Sequence, residues 1–221
     1  MYANSIQLVA TDDGAGVNMA GETRAAGDIR LDVNGTLDLS GQLQGEQQVT
    51  AKANQIHVKG TVQSAGDVTL TGRDATSTAA GSKIKGRQVS ISTTAGDTTH
   101  QGDIEAEAIA LSASETLVHQ GTTNSSGKTQ LKGRQIRVEG GKSVAKGNIT
   151  LGGNDKSHAE NITLTDATLQ SQKGDITLKS RGNTQLTRSK VSAAGSIVSE
   201  AASYQLNDSQ IAAQNHTEIT G

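Results

Sequence analysis

The sequence predicts an all-β fold: a right-handed parallel β-helix of about ten to eleven coils, with three short strands per coil. Three observations carry that expectation. Short apolar pairs of the form Φ-x-Φ begin at Ile29, Val49, Val68, Val89, Ile109, Thr129, Ile149, Ile176, Ile197 and Thr217. The steps between them are 20, 19, 21, 20, 20, 20, 27, 21 and 20 residues, and a fixed period in this range marks a solenoid whose repeats stack on one another. The 221 residues include no Pro, Cys, Phe or Trp, and Tyr2 and Tyr204 are the only aromatics. A globular core of this length normally uses bulky rings. A core of Val, Ile, Leu, Ala and Thr must instead be narrow and repeat one cross-section.

Each coil can be read from its residues. Gly27-Asp28 leads into Ile29/Leu31, then come Leu37/Leu39, Gly41 and a lone Leu43. The next coil repeats this with Val49/Ala51, Ile56/Val58, Gly60 and Val62. A spacing of two puts both members of a pair on one face of a strand, so each coil offers three inward patches, two pairs and one single residue. Later coils give Ile109/Leu111, Leu117/His119 and Thr123; Thr129/Leu131, Ile136/Val138 and Val144; Ile176/Leu178, Thr184/Leu186 and Val191; and Ile197, Tyr204/Leu206 and Ile211. The first coil, with Ile6/Leu8 and Val17/Met19, fits the pattern less closely. Gly86-Arg87-Gln88-Val89 resembles Gly133-Arg134-Gln135-Ile136, yet the match of Val89–His100 to Ile109–His119 places Val89 on the first strand and Ile136 on the second.

The corners follow from the glycines. Gly41, Gly60, Gly102, Gly121 and Gly140 each follow a pair by two residues, where positive φ or close backbone approach is needed. Asp28, Asp67, Asp103 and Asp175 stand beside such glycines, placed to cap the turn through their own backbone. With strands about 4.8 Å apart, the coils make a rod on the order of 50 Å long. Three stretches break the period and read as loops: 12–16, 73–81 and, largest, 152–161. Insertions in repeat proteins map to loops and often to binding surfaces.

The unbroken period argues for a single β-helical segment over 1–221. The last residues, 218–221, stop inside a repeat, so the chain reads as a fragment of a much longer one. The net charge of −2, from 20 basic and 22 acidic residues, gives no nucleic-acid surface, and rings for base stacking are missing. No apolar run is long enough for a transmembrane helix, and Met1-Tyr-Ala-Asn is not a secretory signal.

The recurrent units Gly66-Asp67-Val68-Thr69-Leu70, Gly147-Asn148-Ile149-Thr150-Leu151 and Gly174-Asp175-Ile176-Thr177-Leu178, with lead-ins such as Ser64-Ala65-Gly66 and Ala193-Ala194-Gly195, cover nearly the whole chain in phase. This pattern resembles the haemagglutinin repeats of filamentous haemagglutinin and of CdiA-type contact-dependent growth-inhibition exoproteins. The resemblance implies a right-handed parallel β-helix filament from a very large protein, exported by two-partner secretion through an outer-membrane transporter and held at the bacterial cell surface. It implies that the repeats hold a receptor-binding region or a toxin away from the cell, with the target-cell receptor met by other regions. The family's N-terminal secretion domain carries Asn-Pro motifs, and this chain has no Pro, so the resemblance is to the stalk alone.

His100 and His119 sit in the matching units Thr99-His100-Gln101-Gly102 and Val118-His119-Gln120-Gly121. Their separation of 19 places them on adjacent coils, at inward positions that Leu39 and Val58 hold elsewhere. Two imidazoles can bind a metal or sense pH; the alternative is a stacked, neutral, hydrogen-bonded pair, which is the reading adopted. His57, His158 and His216 show no partners in the sequence. Asp103, Glu105 and Glu107 read as a solvated corner rather than the acid cluster of a glycan-cleaving β-helix enzyme. No catalytic, cofactor or metal residue is assigned. Two binding candidates are kept: the loop residues Asn154, Asp155, Lys156 and His158, and a basic patch of Lys132, Arg134 and Arg137 within the Lys-rich stretch 128–146, where Glu139 is the lone acid. The expected function is a structural stalk. An adhesive module using either candidate is the alternative, and a glycan-active enzyme ranks behind both.

Overall fold

The structure is a computed structural model that describes residues 2–153 and 158–221. Among the described residues every regular element is a β-strand and every pairing is parallel. The strands form three stacked ladders, one on each face of a three-sided coil. The first ladder stacks segments 6–10, 29–33, 48–53, 67–72, 88–93, 108–113, 128–132, 149–152, 176–179, 197–200 and 217–220. Segments 15–18, 36–39, 55–58, 75–78, 97–100, 116–119, 135–139, 161–165, 183–187 and 203–207 make the second. The third runs from 2–3 and 22–25 through 42–45, 61–64, 83–85, 103–106, 122–125, 142–145, 168–171 and 190–193 to 210–213.

The expected register is met at every first-strand position. Ile29, Val49, Val68, Val89, Ile109, Thr129, Ile149, Ile176, Ile197 and Thr217 are mutual partners, coil upon coil. Ile136 pairs with Leu117 on the second ladder, so the two similar Gly-Arg-Gln segments do lie on different faces. The less regular first coil joins the same stack, Ile6 and Leu8 on Ile29 and Leu31, Val17 on Leu37. Alternation fills the interior: along Ile29–Leu39 the inward residues Ile29, Leu31, Val33, Leu37 and Leu39 are all buried, and Arg30 and Asp32 between them are exposed. Each fully buried Leu or Ile contributes roughly 1.5–3 kcal/mol, and stacking makes that core continuous along the axis.

Three expectations are corrected. Val144 does not point inward. The buried residue is Ser143, in register with Thr123 and Leu169, and Val144 lies half-buried on the outer surface opposite Asn124. The cause is one added residue: Gly141, not Gly140, occupies the corner above Gly121, and Gly140 takes a positive φ of 68°. Second, 73–81 is mostly not a loop. Asp67–Thr78 is a strand, and Thr76 and Thr78 are core residues stacked on Ile56 and Val58. Their hydroxyls make this possible: Thr76 Oγ1 donates to the Ser92 carbonyl (2.9 Å) and accepts from the Gly72 amide (3.1 Å). Third, the described ends of 152–161 join the stack. Gly152 pairs with Lys132, Ala159 bridges to Ser180, and Asn161 begins the strand on Gln135.

The corner glycines owe their place to close approach rather than to positive φ. A Cβ at Gly121 would lie 2.1 Å from the Gly102 carbonyl oxygen, and one at Gly60 2.0 Å from that of Gly41. Nor do the corner aspartates cap their own turns. Asp28 accepts from Gln48 Nε2 (3.0 Å), Asp67 from Arg87 Nε (3.1 Å) and Asp175 from the Ser196 amide (2.7 Å), each on the following coil. Polar side chains thus tie each coil to its neighbour.

Candidate functional site

Of the residues singled out in the sequence, the structure brings His100 and His119 together most closely. They are register partners on the second ladder, between Thr78 and Val138. The rings stack with centroids 5.1 Å apart and planes 7° from parallel, and both residues are fully buried. His100 Nε2 faces the Thr122 carbonyl at 3.4 Å, so this nitrogen donates; Nδ1 then accepts from Thr78 Oγ1 at 2.7 Å. His119 Nε2 lies 3.1 Å from Ser143 Oγ, which accepts from Thr123 Oγ1 at 2.8 Å. His119 Nδ1 is buried with no partner.

Burial is the main reason that His100 is pushed down to about 4; the Thr122 carbonyl and the charge of Asp103 pull the other way. Burial also drives His119 down to about 3, reinforced by His100 and opposed by the Lys142 main chain. Both rings are therefore neutral at pH 7, the stacked, neutral pair expected from the sequence. Imidazole lone pairs lie in the ring plane, so in two parallel rings they point side by side rather than at one shared ion. Among the described residues no group of three or more His, Cys, Asp or Glu is arranged to hold a metal.

The basic stretch is not gathered on one face. Lys128 and Lys132 lie on the first ladder, and Arg137 lies on the second between Val118 and Thr163. Lys142 opens the third ladder's segment and Lys146 follows it at the next corner. Arg134, at the corner between the first two ladders, pairs with Glu115 and, at 3.7 Å, with Glu160. These acids come from neighbouring coils and are invisible in the stretch itself. The bases form a belt around one coil.

Of the loop candidates, Asn154, Asp155 and Lys156 lie outside the described residues. His158 is half-buried and does have a partner: its Nε2 lies 2.8 Å from Glu200 Oε2, and Lys179 reaches the other oxygen of that carboxylate at 3.0 Å. These bonds, His158 first, hold the Glu200 carboxyl below the usual range. His57 also has a partner, Ser77 Oγ, at 2.7 Å.

One feature escaped sequence reading. A groove of about 640 Å³ runs along the corner between the third ladder and the first, touching residues from Ser64 to Gln172. One rail is the register row Lys85, Glu105, Asn124 and Val144; Arg87, Glu107, Ser126 and Lys146 supply the other, and the small Ser64, Ala106 and Ser125 its floor. The floor residues are 7–9% exposed where most of the core is sealed. Lys85 pairs with Glu105 at 3.0 Å and Arg87 with Asp67 at 3.1 Å. The only trace of this in the sequence is a small residue recurring at the same point of successive coils. Val144, read as core, hid it.

No family model and no solved structure matches the chain. Two curated relatives do. The 16S rRNA endonuclease CdiA of Enterobacter cloacae is 26% identical across 99% of this chain, and the tRNA nuclease CdiA of Yersinia mollaretii is 37% identical over 70 residues, 32% of it. The chain spans only 7% and 2% of the length of those proteins, and the nuclease activities in their names belong to them. A match that runs along nearly the whole of this chain, together with its repeating β-solenoid, joins the two lines of observation: this chain is similar to a segment of the CdiA-type contact-dependent inhibition exoproteins.

Proposed function

We propose that this chain is a non-enzymatic stalk segment of a contact-dependent inhibition exoprotein, holding a receptor-binding region or toxin away from the cell. The observation that carries the reading is the continuous stack itself. Each coil adds the same rise and rests on its neighbour through a parallel ladder and an aliphatic core. Such a segment transmits position rather than performing chemistry. On this reading the parent protein passes an outer-membrane two-partner-secretion transporter, works at the cell surface, and meets its target-cell receptor through other regions. No helix among the described residues is long and apolar enough to cross a membrane.

The test is an in-phase deletion in the parent protein. Removing residues 49–67, one period, should leave surface display and target killing intact, and removing about half that number should abolish both. If the in-phase deletion abolishes killing while surface display persists, the segment is more than a spacer.

A second reading, an adhesive segment, is favoured by the groove, where Lys146 of the basic stretch and Glu107 have no ion pair among the described residues. It predicts saturable binding of the purified chain to intact cells, reduced by Lys146→Glu. Binding no higher than background from folded protein would remove it.

A further inference from the structure

Inward residues change character along the rod. On the second ladder, Leu37, Leu39, Ile56 and Val58 precede Thr76, Thr78, Thr98, His100, Leu117 and His119, and Ile136, Val138, Ile162 and Leu164 follow. The other ladders add buried hydroxyls over the same coils: Thr93 and Thr129 on the first, Thr123, Ser125 and Ser143 on the third. The middle of the rod therefore has a mixed core, in which hydroxyls and the two imidazoles are buried beside aliphatic residues such as Ile104, Leu111 and Leu117, and among the described residues it is the one stretch that buries histidine. We propose that these middle coils form an acid-opened joint, in which protonation of the stacked His100–His119 pair separates the turns that carry it while the coils on either side stay stacked.

The geometry gives an added proton no home. Protonating His100 requires a donor at Nδ1, facing Thr78 Oγ1, whose two lone pairs already accept from the Gln101 amide at 3.1 Å and the Gly102 amide at 3.4 Å. Protonating His119 puts a charge on a buried nitrogen without a partner. Around the pair, the inward residues are Thr78 and Val138 on the same ladder, Leu111 and Leu131 on the first, and Ile104, Thr123 and Ser143 on the third. None of these titrates. The groups that act on the pair are Asp103, at the corner beyond His100, and the two imidazoles on each other, 5.1 Å apart. A single cation would be desolvated without compensation, and a second would also be repelled.

Opening relieves this. Each folded-state pKa lies below the free imidazole value of about 6.5, so the opened state binds more protons and acid favours it. The stabilisation is complete above that value and is lost as pH falls toward about 4. From pH 7 to 5 each imidazole raises the opening equilibrium roughly 25-fold, and the two together several hundred-fold. A solenoid coil contacts only its neighbours, so such opening can stay local.

Amide hydrogen exchange of the chain, resolved by segment and corrected for the intrinsic pH dependence of exchange, tests the proposal. Between pH 7 and 5, residues 97–145 should lose protection by about two orders of magnitude or more, and 29–58 and 162–186 should change far less. In His100→Leu/His119→Leu the difference should vanish. An even loss along the rod, retained protection at 97–145, or pH dependence that survives the double variant would overturn it. Should the double variant fail to fold, NMR titration of the wild type decides: ring protons that titrate above pH 6 in still-folded coils would overturn the joint, and rings that stay neutral until the coils open would support it.

Discussion

Replacing Ile136 by Asp is the sharpest test of the inward register. Ile136 is 1% exposed and stacked between Leu117 and Ile162, both sealed. Truncating a buried Ile to a small side chain costs about 2–5 kcal/mol. The carboxyl would then be desolvated with no partner, raising its pKa by up to about 3–5 units, a further 4 kcal/mol or so at pH 7, where a carboxyl shifted that far is largely neutral. A total above about 5 kcal/mol exceeds what single substitutions commonly cost, and the adjacent coils should open rather than hold the charge. The neighbouring Arg137→Asp provides the control. Arg137 is exposed on the outer side of the same strand, and its replacement should stay within about 0.5 kcal/mol. Long repeat arrays lose two-state cooperativity, so the measurement is thermal melting by circular dichroism together with segment-resolved exchange at pH 7. Unchanged melting in Ile136→Asp, or equal damage from Arg137→Asp, would refute the reasoning, because a one-residue slip exchanges the two faces.

Gly121→Ala should destabilise by about 1–3 kcal/mol in urea unfolding, since its Cβ meets the Gly102 carbonyl, whereas Gly16→Ala, with nothing within 4 Å, should be neutral or slightly stabilising. Thr76→Val should cost about 1–3 kcal/mol, because the Gly72 amide and Ser92 carbonyl lose their buried partner; equal stability would mean that water replaces the hydroxyl. Val144→Lys should leave the melting midpoint within a degree or two, corresponding to about 0.5 kcal/mol or less, because the side chain faces the outer groove. Raising the pH from 7 to 8 should change the contribution of the two buried imidazoles by only about 0.3 kcal/mol, a slight gain as the last protons leave the unfolded chain; a fall in melting temperature that disappears in His100→Leu/His119→Leu would contradict the neutral pair.

The fold was legible because the information repeats. A Φ-x-Φ pair recurring every twenty residues or so survives one polar substitution: Thr129 and Thr217 were placed correctly by phase alone. The register failed where hydropathy and hydrogen bonding part company. Thr76, Thr78 and Ser143 are buried because their hydroxyls find partners on adjacent strands, and nothing in a polar run announces those partners. The histidine pair was legible because its two units match in phase. The basic stretch misled because residues near in sequence turn through three faces within one coil, while the acids that neutralise Arg134 arrive from the coils before and after it. The groove stayed hidden for the same reason, its rails being built from residues about twenty apart.

The stacking has a mechanical consequence. Backbone hydrogen bonds between coils run along the rod axis, and strands run across it. Tension applied along the axis therefore loads the ladders at an end first, and coils should peel one after another rather than fail together. Each released coil turns a rise of about 4.8 Å into roughly 65 Å of extended chain. A rod of this construction is stiff while its ladders hold, and under overload it pays out line in equal lengths, keeping its two ends connected.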